Sequence, residues 1–348
     1  MKIPVAWLLS AYRADSHAAW GDWLLSSQDQ YDWQRFELPG RHFRWRIRGN
    51  PLSWLDQLPA TPPELIVATS MVDLSTLKGL HPRLAHTASI YYFHENQFAY
   101  PVTDGQFKSV DPQMVQLYGA LAADKVAFNS HFNRDSFLNG VDELLAKMPD
   151  CVPPGVSDRI RHKSHILPVP ISPVATAEKD PRLILWSHRW EYDKAPDLFA
   201  DAIIELDRRG CDFRLALLGG RPEKAPPSLT RLRDQLSHRI TADGKSTADQ
   251  YRSLLGKTSI VVSTAIHEFQ GLAILEAASA DARPLVPDAL CYPEQYGTIY
   301  RYPAGDAKAL ADRLEQWLKN GLPPAEDISP WYEENLTQSW HDLLILPN

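Results

Sequence analysis

The sequence lacks long apolar segments and has few cysteines. No run approaches the roughly 18 uninterrupted apolar residues of a membrane-spanning helix, which excludes such a helix. Residues 1–9 contain one lysine and an apolar stretch but no small-residue cleavage site, so a secretory signal is not expected. Cys151, Cys211 and Cys291 are odd in number and widely spaced, a pattern typical neither of a disulfide framework nor of a zinc site. We therefore expect a cytoplasmic protein.

Two motifs of nucleotide-dependent enzymes are also absent. No Gly-x-Gly-x-x-Gly follows a predicted strand, which excludes an ordinary nicotinamide dehydrogenase. No Asp-x-Asp adjoins a predicted strand, so a divalent metal is not implied. The net charge of −7 does not favour a nucleic-acid-binding protein. The charge is uneven, however, because no acidic residue lies between Glu37 and Asp56.

The pattern of apolar runs indicates two domains, as the length of 348 residues also does. Short runs alternate with helix-length segments, a rhythm that predicts parallel α/β sheets. The first group of runs lies at residues 5–9, 65–68, 89–93, 125–128 and 164–167, and the second at residues 183–186, 213–218, 259–262 and 283–286. Three prolines within residues 167–173 indicate an extended linker between the groups.

This division predicts an α/β protein with two Rossmann-like domains and a ligand in the cleft between them. The first domain would span residues 1–168 and the second residues 169–348. The aromatic-rich segment 328–346 is interpreted as an amphipathic helix on a domain surface, at the end of the second domain.

Residues 187–194, which follow the predicted strand at 183–186, carry cations just before a helix. Pro196 is typical of a first helical turn, so Arg189 and Lys194 precede a helix N-terminus. Cations and free backbone N–H groups at such a point can hold a diphosphate. The alternative is that Arg189 and Lys194 are solvated loop charges.

A second loop becomes a helix near Gly271 and has a carboxylate on each side of this point. Glu268 precedes the helix and Glu276 lies on it more than one turn later, so both can face a ligand over the N-terminus. A carboxylate suits vicinal ribose hydroxyls, whereas helix N–H groups suit phosphates. The alternative is that both are ordinary surface charges.

These two loops resemble those of GT4-type retaining glycosyltransferases, which have an E-x7-E motif and a phosphate-binding Arg and Lys. The resemblance implies the GT-B fold, in which two Rossmann-like domains face a cleft. It implies that Glu276 binds the donor ribose and that Glu268 lies near the transferred sugar. Loop backbone would meet the sugar and diphosphate, and a glycine pair, for which a plain turn is the alternative, would border the base pocket. These further donor contacts are Phe269, Gly271 and Leu272 in the loop and Gly219 and Gly220 in the pair.

The segment at residues 91–101, YYFHENQFAYP, directly follows a strand of the first group. Loops at the carboxyl ends of parallel strands bind ligands, so His94, Glu95 and Asn96 are expected to point into the site. A lone histidine in a sheet protein is more often structural, but its neighbours and position favour a functional role here.

This segment is the most specific part of a second resemblance, to the tRNA-queuosine alpha-mannosyltransferases among the GT4-like enzymes. Residues 68–80, 126–131, 261–269 and 284–294 resemble the same family, so the resemblance covers most of the chain. One departure is Ala14-Asp15 before Ser16 and His17, where a glycine pair is expected. Glycine lets backbone approach a ligand closely, so the shape of this loop and the role of Ser16 and His17 stay open.

The resemblance implies transfer of mannose from GDP-mannose to the queuosine cyclopentenediol in the anticodon of a tRNA of the tRNA-Asp type, with retention. In such enzymes no carboxylate acts as a covalent nucleophile, and the leaving diphosphate assists the incoming hydroxyl. No metal or other cofactor is implied, and the implied partners are a sugar nucleotide and tRNA, without a membrane or an obligatory protein partner. The implied catalytic residues are His94, Glu268, Arg189 and Lys194. The implied acceptor-side residues are Ser16, His17, Asp73, Glu95, Asn96 and Asn129.

Two other functions fit the same motifs. The chain could be a GT4-type enzyme acting on a saccharide or small molecule, because the C-terminal motifs do not contact the acceptor. It could also be a non-catalytic RNA- or nucleotide-binding protein that keeps the scaffold.

The acid-free stretch alternates arginine with apolar residues. If residues 43–48 form a strand, its period of two places Arg44, Arg46 and Arg48 on one face. This face would contact tRNA phosphates. The alternative is that these arginines pair with acids of neighbouring elements.

Overall fold

A computed structural model describes residues 3–100 and 109–345. The chain divides into two compact units, one comprising Met1–Pro170 and Glu334–Asn348 and the other Ile171–Glu333. Each unit contains a six-stranded parallel sheet with helices, so the predicted α/β class is confirmed. Pro101 and Leu346, which end two of the predicted segments, lie outside the described residues.

The first unit alternates strands and helices. Its described elements are β1 Val5–Arg13, α1 Asp15–Ser27, β2 Asp32–Pro39, α2 Phe43–Ser53, β3 Leu65–Thr69, α3 Leu74–Leu80, β4 Ala88–Phe93, α4 Asp111–Ala122, β5 Lys125–Phe128, α5 His131–Leu145, α6 Val156–Arg161 and β6 Ser164–Ile166. The strand order is β2-β1-β3-β4-β5-β6. The order reverses between β1 and β3, the kind of position at which open parallel sheets bind ligands.

The second unit repeats this architecture. Its described elements are β7 Asp180–Ser187, α7 Pro196–Arg208, β8 Arg214–Leu218, α8 Pro227–Leu236, β9 Ile240–Asp243, α9 Ala248–Lys257, β10 Thr258–Val262, α10 Leu272–Ser279, β11 Arg283–Pro287, β12 Arg301–Tyr302 and α11 Ala307–Asn320. The strand order is β12-β11-β10-β7-β8-β9, with the reversal between β7 and β10. The loops after β7 and β10, which carry the predicted phosphate site, are therefore adjacent.

Burial explains which strands the sequence reveals. Every residue of β3 is buried, because a central parallel strand is covered on both faces, and its sequence is a continuous run, LIVAT. In β2, by contrast, only Leu38 is buried, and charged residues interrupt the strand. The strands β2, β9 and β12 lie at or near sheet edges and were not predicted.

The acid-free stretch forms helix α2, so the prediction of a strand at residues 43–48 is wrong. His42 has a left-handed backbone, with φ of 56°, and its carbonyl oxygen accepts two N–H groups of the first helical turn. Phe43 and Ile47 pack inward, and they are four residues apart. Residues four apart lie on the same face of a helix and also on the same face of a strand. A pattern of six residues therefore does not distinguish a helix from a strand.

The helix α12 Glu333–Leu344 packs on the first unit, whereas the sequence pattern predicted one domain over residues 169–348. Trp340 is fully buried. Its ring centroid lies 4.9 Å from that of Tyr92 and 5.5 Å from that of Trp20. The amphipathic character of the helix was predictable from the sequence. The sheet that it covers was not, because Tyr92 and Trp20 lie about 250 and 320 residues before Trp340 in the chain.

Candidate active site

Lys194 lies at the carboxyl edge of the second sheet and is buried. Its Nζ donates to the His267 carbonyl oxygen at 2.7 Å and to Glu268 Oε2 at 3.1 Å, and it lies 3.3 Å from Asp193 Oδ2. Burial would lower the pKa of Lys194, but Glu268 and Asp193 raise it above its usual value. Lys194 is thus a buried, charged group and not a solvated loop charge.

Glu268 balances this cation, and its side chain is 22% exposed. Its Oε1 accepts the Phe269 backbone N–H at 3.1 Å. Burial would raise the pKa of Glu268, but the Lys194 ammonium group lowers it to about 2. Because Glu268 is ionised at neutral pH, it can accept hydrogen bonds or oppose a positive charge, but it has no proton to donate.

The loop after β10 becomes helix α10 at Gly271, as predicted. Gly271 has a φ of 68°, and a Cβ there would lie 2.9 Å from Cε1 of Tyr292. Tyr292, in the segment after β11, donates from its hydroxyl to Ser263 Oγ at 2.7 Å and so ties that segment to the end of β10. The first helical residue, Leu272, therefore presents an N-terminus whose backbone N–H groups suit an anion.

Glu276 lies on α10 and accepts a hydrogen bond from the Tyr251 hydroxyl at 2.9 Å. Burial raises the pKa of Glu276, and the Tyr251 hydrogen bond opposes this effect. Tyr251 also lines a pocket of about 180 Å³. The pocket residues are Ser187, Leu218, Gly219, Gly220, Gly244, Lys245, Ser246 and Tyr251. Tyr251 thus links the predicted ribose-binding carboxylate to the predicted base pocket, although no motif in the sequence marked it.

The glycine pair at the end of β8 has a steric role beyond that of a plain turn. Gly219 has a φ of 93°, and a Cβ there would overlap the His188 carbonyl oxygen. The Gly220 carbonyl oxygen accepts the Trp190 N–H at 2.9 Å. The pair therefore lets β8 approach the cationic loop directly.

His188 and Arg189 occupy different environments in that loop. Arg189 is exposed, and its Nη1 lies 3.3 Å from Glu191 Oε2. His188 is buried, and its Nε2 has no hydrogen-bond partner in the described part of the chain. Burial lowers the pKa of His188 to about 3, with Lys194 acting in the same direction. No sequence pattern marked His188, because only the folded structure shows that its ring is buried.

In the first unit the structure brings His17 and His94 together. Their rings are stacked with centroids 4.1 Å apart, and the His94 ring meets Trp20 and Tyr92 edge to face at 4.7 Å. Burial, and then His17, lower the pKa of His94 well below its usual value. His94 Nε2 has no partner among the residues described. A neutral imidazole held in this way can position a polar ligand.

The loop that departs from the expected glycine pair has an ordinary backbone. Ala14 is extended, with φ of −86° and ψ of 163°, and α1 begins at the next residue. Alanine is therefore accommodated without strain. His17 Nδ1 lies 3.1 Å from the Tyr12 carbonyl oxygen, and Ser16 is exposed.

Three predicted acceptor-side residues have their polar groups engaged within the fold. Asp73 caps α3 through the Thr76 N–H at 3.2 Å and also accepts from Arg48 at 2.6 Å. Asn96 Nδ2 donates to Asn133 Oδ1 at 2.9 Å, and Asn96 Oδ1 accepts two backbone N–H groups. Asn129 donates to the His94 carbonyl oxygen at 2.9 Å. Asp73 therefore holds the start of α3, whereas Asn96 and Asn129 shape the loop after β4, in which Glu95 is half-buried.

The helical form of α2 separates its arginines. Arg44 and Arg48 are exposed and lie four residues apart, on one side of the helix. Arg46 is half-buried and donates weakly to the Pro39 carbonyl oxygen at 3.4 Å. Arg48 pairs with an acid of a neighbouring element, Asp73, which is the alternative that the sequence left open.

Two other kinds of feature are absent from the described residues. Residues 3–100 and 109–345 contain no cluster of three or more His, Cys, Asp or Glu side chains placed to hold a metal ion. Within the same ranges, no helix combines the length and apolarity needed to cross a membrane.

The fold and the donor loops define a class of enzyme. Residues 181–320 match the family described as glycosyl transferases group 1. The lipopolysaccharide outer core galactosyltransferase WaaB has a similar structure, with a TM-score of 0.69 and 11% identity, covering 97% of this chain and 98% of that one. Sucrose-phosphate synthase from Thermosynechococcus elongatus has a TM-score of 0.68 and 13% identity, covering 97% and 94%. The chain is a glycosyltransferase with the predicted GT-B fold.

The first unit identifies the family. Residues 5–171 match the family described as tRNA-queuosine alpha-mannosyltransferase N-terminal. A tRNA-queuosine alpha-mannosyltransferase of Drosophila melanogaster is 33% identical over 304 residues, which cover 83% of this chain and 81% of that protein. The chain belongs to the tRNA-queuosine alpha-mannosyltransferase family, and the resemblance carried by residues 91–101 is confirmed.

Proposed function

We propose that the protein transfers mannose from GDP-mannose to the queuosine cyclopentenediol in the anticodon of a tRNA of the tRNA-Asp type, with retention. The observation that carries this proposal is the family match over residues 5–171, because that unit contains the predicted acceptor side. A relative with the corresponding name matches most of the chain and supports the same acceptor.

The second unit would hold the donor. Glu276, aligned by Tyr251, would accept hydrogen bonds from the ribose hydroxyls, and the adjoining pocket would take the base. The N-terminus of α10, with Phe269, Gly271 and Leu272, would meet the diphosphate and sugar. Arg189 and Lys194 would oppose the charge of the diphosphate.

In the proposed reaction, the bond between the anomeric carbon and the GDP β-phosphate oxygen breaks. A bond from that carbon to the acceptor hydroxyl oxygen forms on the same face. The hydroxyl proton passes to the departing phosphate oxygen, so the products are GDP and the mannosylated acceptor. Lys194, Arg189 and the α10 N-terminus would stabilise the negative charge that grows on the leaving group.

Glu268 and His94 would act by position. Because its pKa is about 2, Glu268 stays ionised throughout the reaction. It would hold the Lys194 ammonium group in place and accept hydrogen bonds from sugar hydroxyls. His94 stays neutral, because burial lowers its pKa. Its buried Nε2, which has no hydrogen-bond partner among the described residues, would bind a sugar hydroxyl. His17 stacks against it, while Glu95 and Ser16 retain polar atoms for the acceptor.

The proposed partners are the sugar nucleotide and queuosine-bearing tRNA, and we place the reaction in the cytoplasm without a membrane, metal ion, other cofactor or obligatory protein partner. Arg44, Arg46 and Arg48 would contact tRNA phosphates. Arg46 and Arg48 also donate within the fold, Arg46 to the Pro39 carbonyl oxygen and Arg48 to Asp73.

The test is to incubate the protein with GDP-mannose and total tRNA, digest the RNA, and analyse the nucleosides by mass spectrometry. Queuosine with one added hexose is expected. The matched control is tRNA from cells that lack queuosine, which should gain no hexose. Transfer to free saccharides with untouched queuosine would contradict the proposed acceptor, and donor binding without any transfer would contradict an enzymatic function.

A further inference from the structure

We propose that Trp45, on helix α2, is a stacking platform for an unpaired base of the RNA acceptor. The inference rests on the proposed function, because it takes the acceptor to be a tRNA. It adds a contact to a base, whereas the arginines of α2 were expected to contact phosphates only.

The Trp45 ring is exposed on one side and supported on the other. Its exposed fraction is 52%, although tryptophan is usually much more buried. The ring lies over the backbone at Gly49, where an added Cβ would come within 2.5 Å of its Cε2 and 2.6 Å of its Cδ2. Because glycine has no side chain, the ring can lie against the helix backbone at this position. A ring placed in this way offers a π face to solvent at little further entropic cost.

Two arginines flank the ring, and one of them, Arg48, also pairs with Asp73. Arg44 precedes it, and Arg48 follows one helical turn later with 52% of its side chain exposed. No acidic residue lies between Glu37 and Asp56, in a chain whose net charge is −7. The helix therefore concentrates cations where the molecule as a whole is acidic.

An exposed aromatic ring flanked by arginines has the chemistry of a surface for single-stranded RNA. Such surfaces combine cations that follow the phosphates with aromatic rings on which bases stack. Sequence-specific RNA recognition is directed at loops, whose bases are free to unstack. An anticodon loop meets this requirement, and a paired stem does not. A purely electrostatic contact would need the arginines but not an exposed tryptophan.

The experiment compares two RNA probes that share one stem sequence: the anticodon stem-loop of a queuosine tRNA, and the same stem as a blunt duplex without the loop. Affinities are measured for the full-length protein and for Trp45→Ala, Trp45→Phe and Trp45→Leu. Trp45→Ala and Trp45→Leu should weaken stem-loop binding about 5- to 150-fold, the range that base stacking on an aromatic ring provides. Trp45→Phe should retain most of the affinity, and duplex binding should not change.

Two further variants separate stacking from other effects. Leu52→Ala removes an apolar side chain that is 57% exposed on the same side of α2, and it should leave both affinities unchanged. Gly49→Ala changes no charge and no aromatic group but displaces the Trp45 ring from the helix backbone. It should therefore weaken binding of the stem-loop and leave binding of the duplex unchanged. Alanine also favours a helix over glycine, so the fold should not be weakened by this change.

Equal losses on stem-loop and duplex, or an unchanged stem-loop affinity in Trp45→Ala, would overturn the stacking role. Because both probes are RNA alone, a loss of stem-loop affinity would report a contact of Trp45 with RNA and not with another protein. Failure of the proposed function has a different signature: the unchanged protein would bind the stem-loop no better than the duplex and would transfer no hexose. GDP-mannose affinity serves as the internal control and should be the same in all five variants.

Discussion

At the scale of single residues, the proposed donor site contains charges that are stable only together. Lys194 is buried against Glu268 and Asp193, so removal of one partner leaves a buried ion uncompensated. Glu276 differs, because its hydrogen-bond partner is the neutral Tyr251 hydroxyl. Substitutions of Lys194 and Glu276 should therefore weaken donor binding similarly but differ in their effect on the free energy of unfolding.

Glu276→Gln should weaken GDP-mannose binding by about 1.5 to 3 kcal/mol, the loss typical of a charged hydrogen bond, with little effect on unfolding. Lys194→Ala should weaken binding similarly and also lower the free energy of unfolding by about 3 to 5 kcal/mol. Calorimetry measures the first quantity and urea unfolding the second. The double variant Lys194→Ala with Glu268→Gln should regain part of the stability but none of the donor affinity. Unchanged donor affinity in both single variants would remove this donor site.

His188 leads to a prediction about pH. The pKa of its buried ring is about 3, below the value of about 6.5 of an unfolded chain. Between these values the unfolded chain binds a proton that the folded chain does not. The free energy of unfolding should therefore fall as pH drops below 6.5, by up to about 1.4 kcal/mol per pH unit.

Urea unfolding at pH 7 and pH 5 measures this effect. His188→Asn should lose up to about 2 kcal/mol less stability than the unchanged protein over this interval, since about 1.5 pH units lie below 6.5. The exposed His86 provides the control, because His86→Asn should behave like the unchanged protein. If His188→Asn loses as much stability as the unchanged protein, the ring is not a buried neutral group.

At the scale of elements, the helical form of α2 redistributes the roles of its arginines. In a strand, the three side chains would have been equivalent. In the helix, Arg46 turns toward Pro39, and Arg48 holds the cap of α3 through Asp73. Arg44 lies on the exposed side of the helix.

Arg44→Gln should weaken tRNA binding and lower its dependence on salt by up to about one unit of log–log slope. Arg46→Gln should change the slope less, because this side chain is half-buried. Binding is measured at several salt concentrations, with GDP-mannose affinity as the control that should stay constant. An unaltered slope in a triple variant of Arg44, Arg46 and Arg48 would show that α2 does not contact the RNA backbone.

At the scale of the whole molecule, two parallel sheets divide the predicted tasks. The second unit carries the cations and the helix N-terminus proposed to oppose diphosphate charge, and the first carries the histidine pair. We expect transfer to need no divalent ion, because Lys194, Arg189 and α10 would supply this stabilisation. Activity in excess EDTA should equal that without chelator. A rate that falls with EDTA and returns with magnesium or manganese would contradict the expectation.

The sequence by itself determined the α/β class, the two sheets and the loops that carry the donor motifs. These properties depend on local physics: buried parallel strands require continuous apolar runs, Pro196 suits a first helical turn, and Gly271 allows the left-handed entry into α10. The strands, the helix starts and these loops could be predicted because each depends on residues that are close together in the sequence.

Only the tertiary structure decided which polar residues face a ligand and which hold the fold together. Lys194 meets Glu268 across 74 residues, and Tyr251 meets Glu276 across 25. Asn96 and Asp73 looked equally available in the sequence, yet their hydrogen bonds go to distant parts of the chain. The period of residues 43–48 fitted a strand and a helix alike, and Trp340 covers a sheet formed by the other end of the chain. Such choices depend on burial and long-range contacts, which a local pattern does not contain.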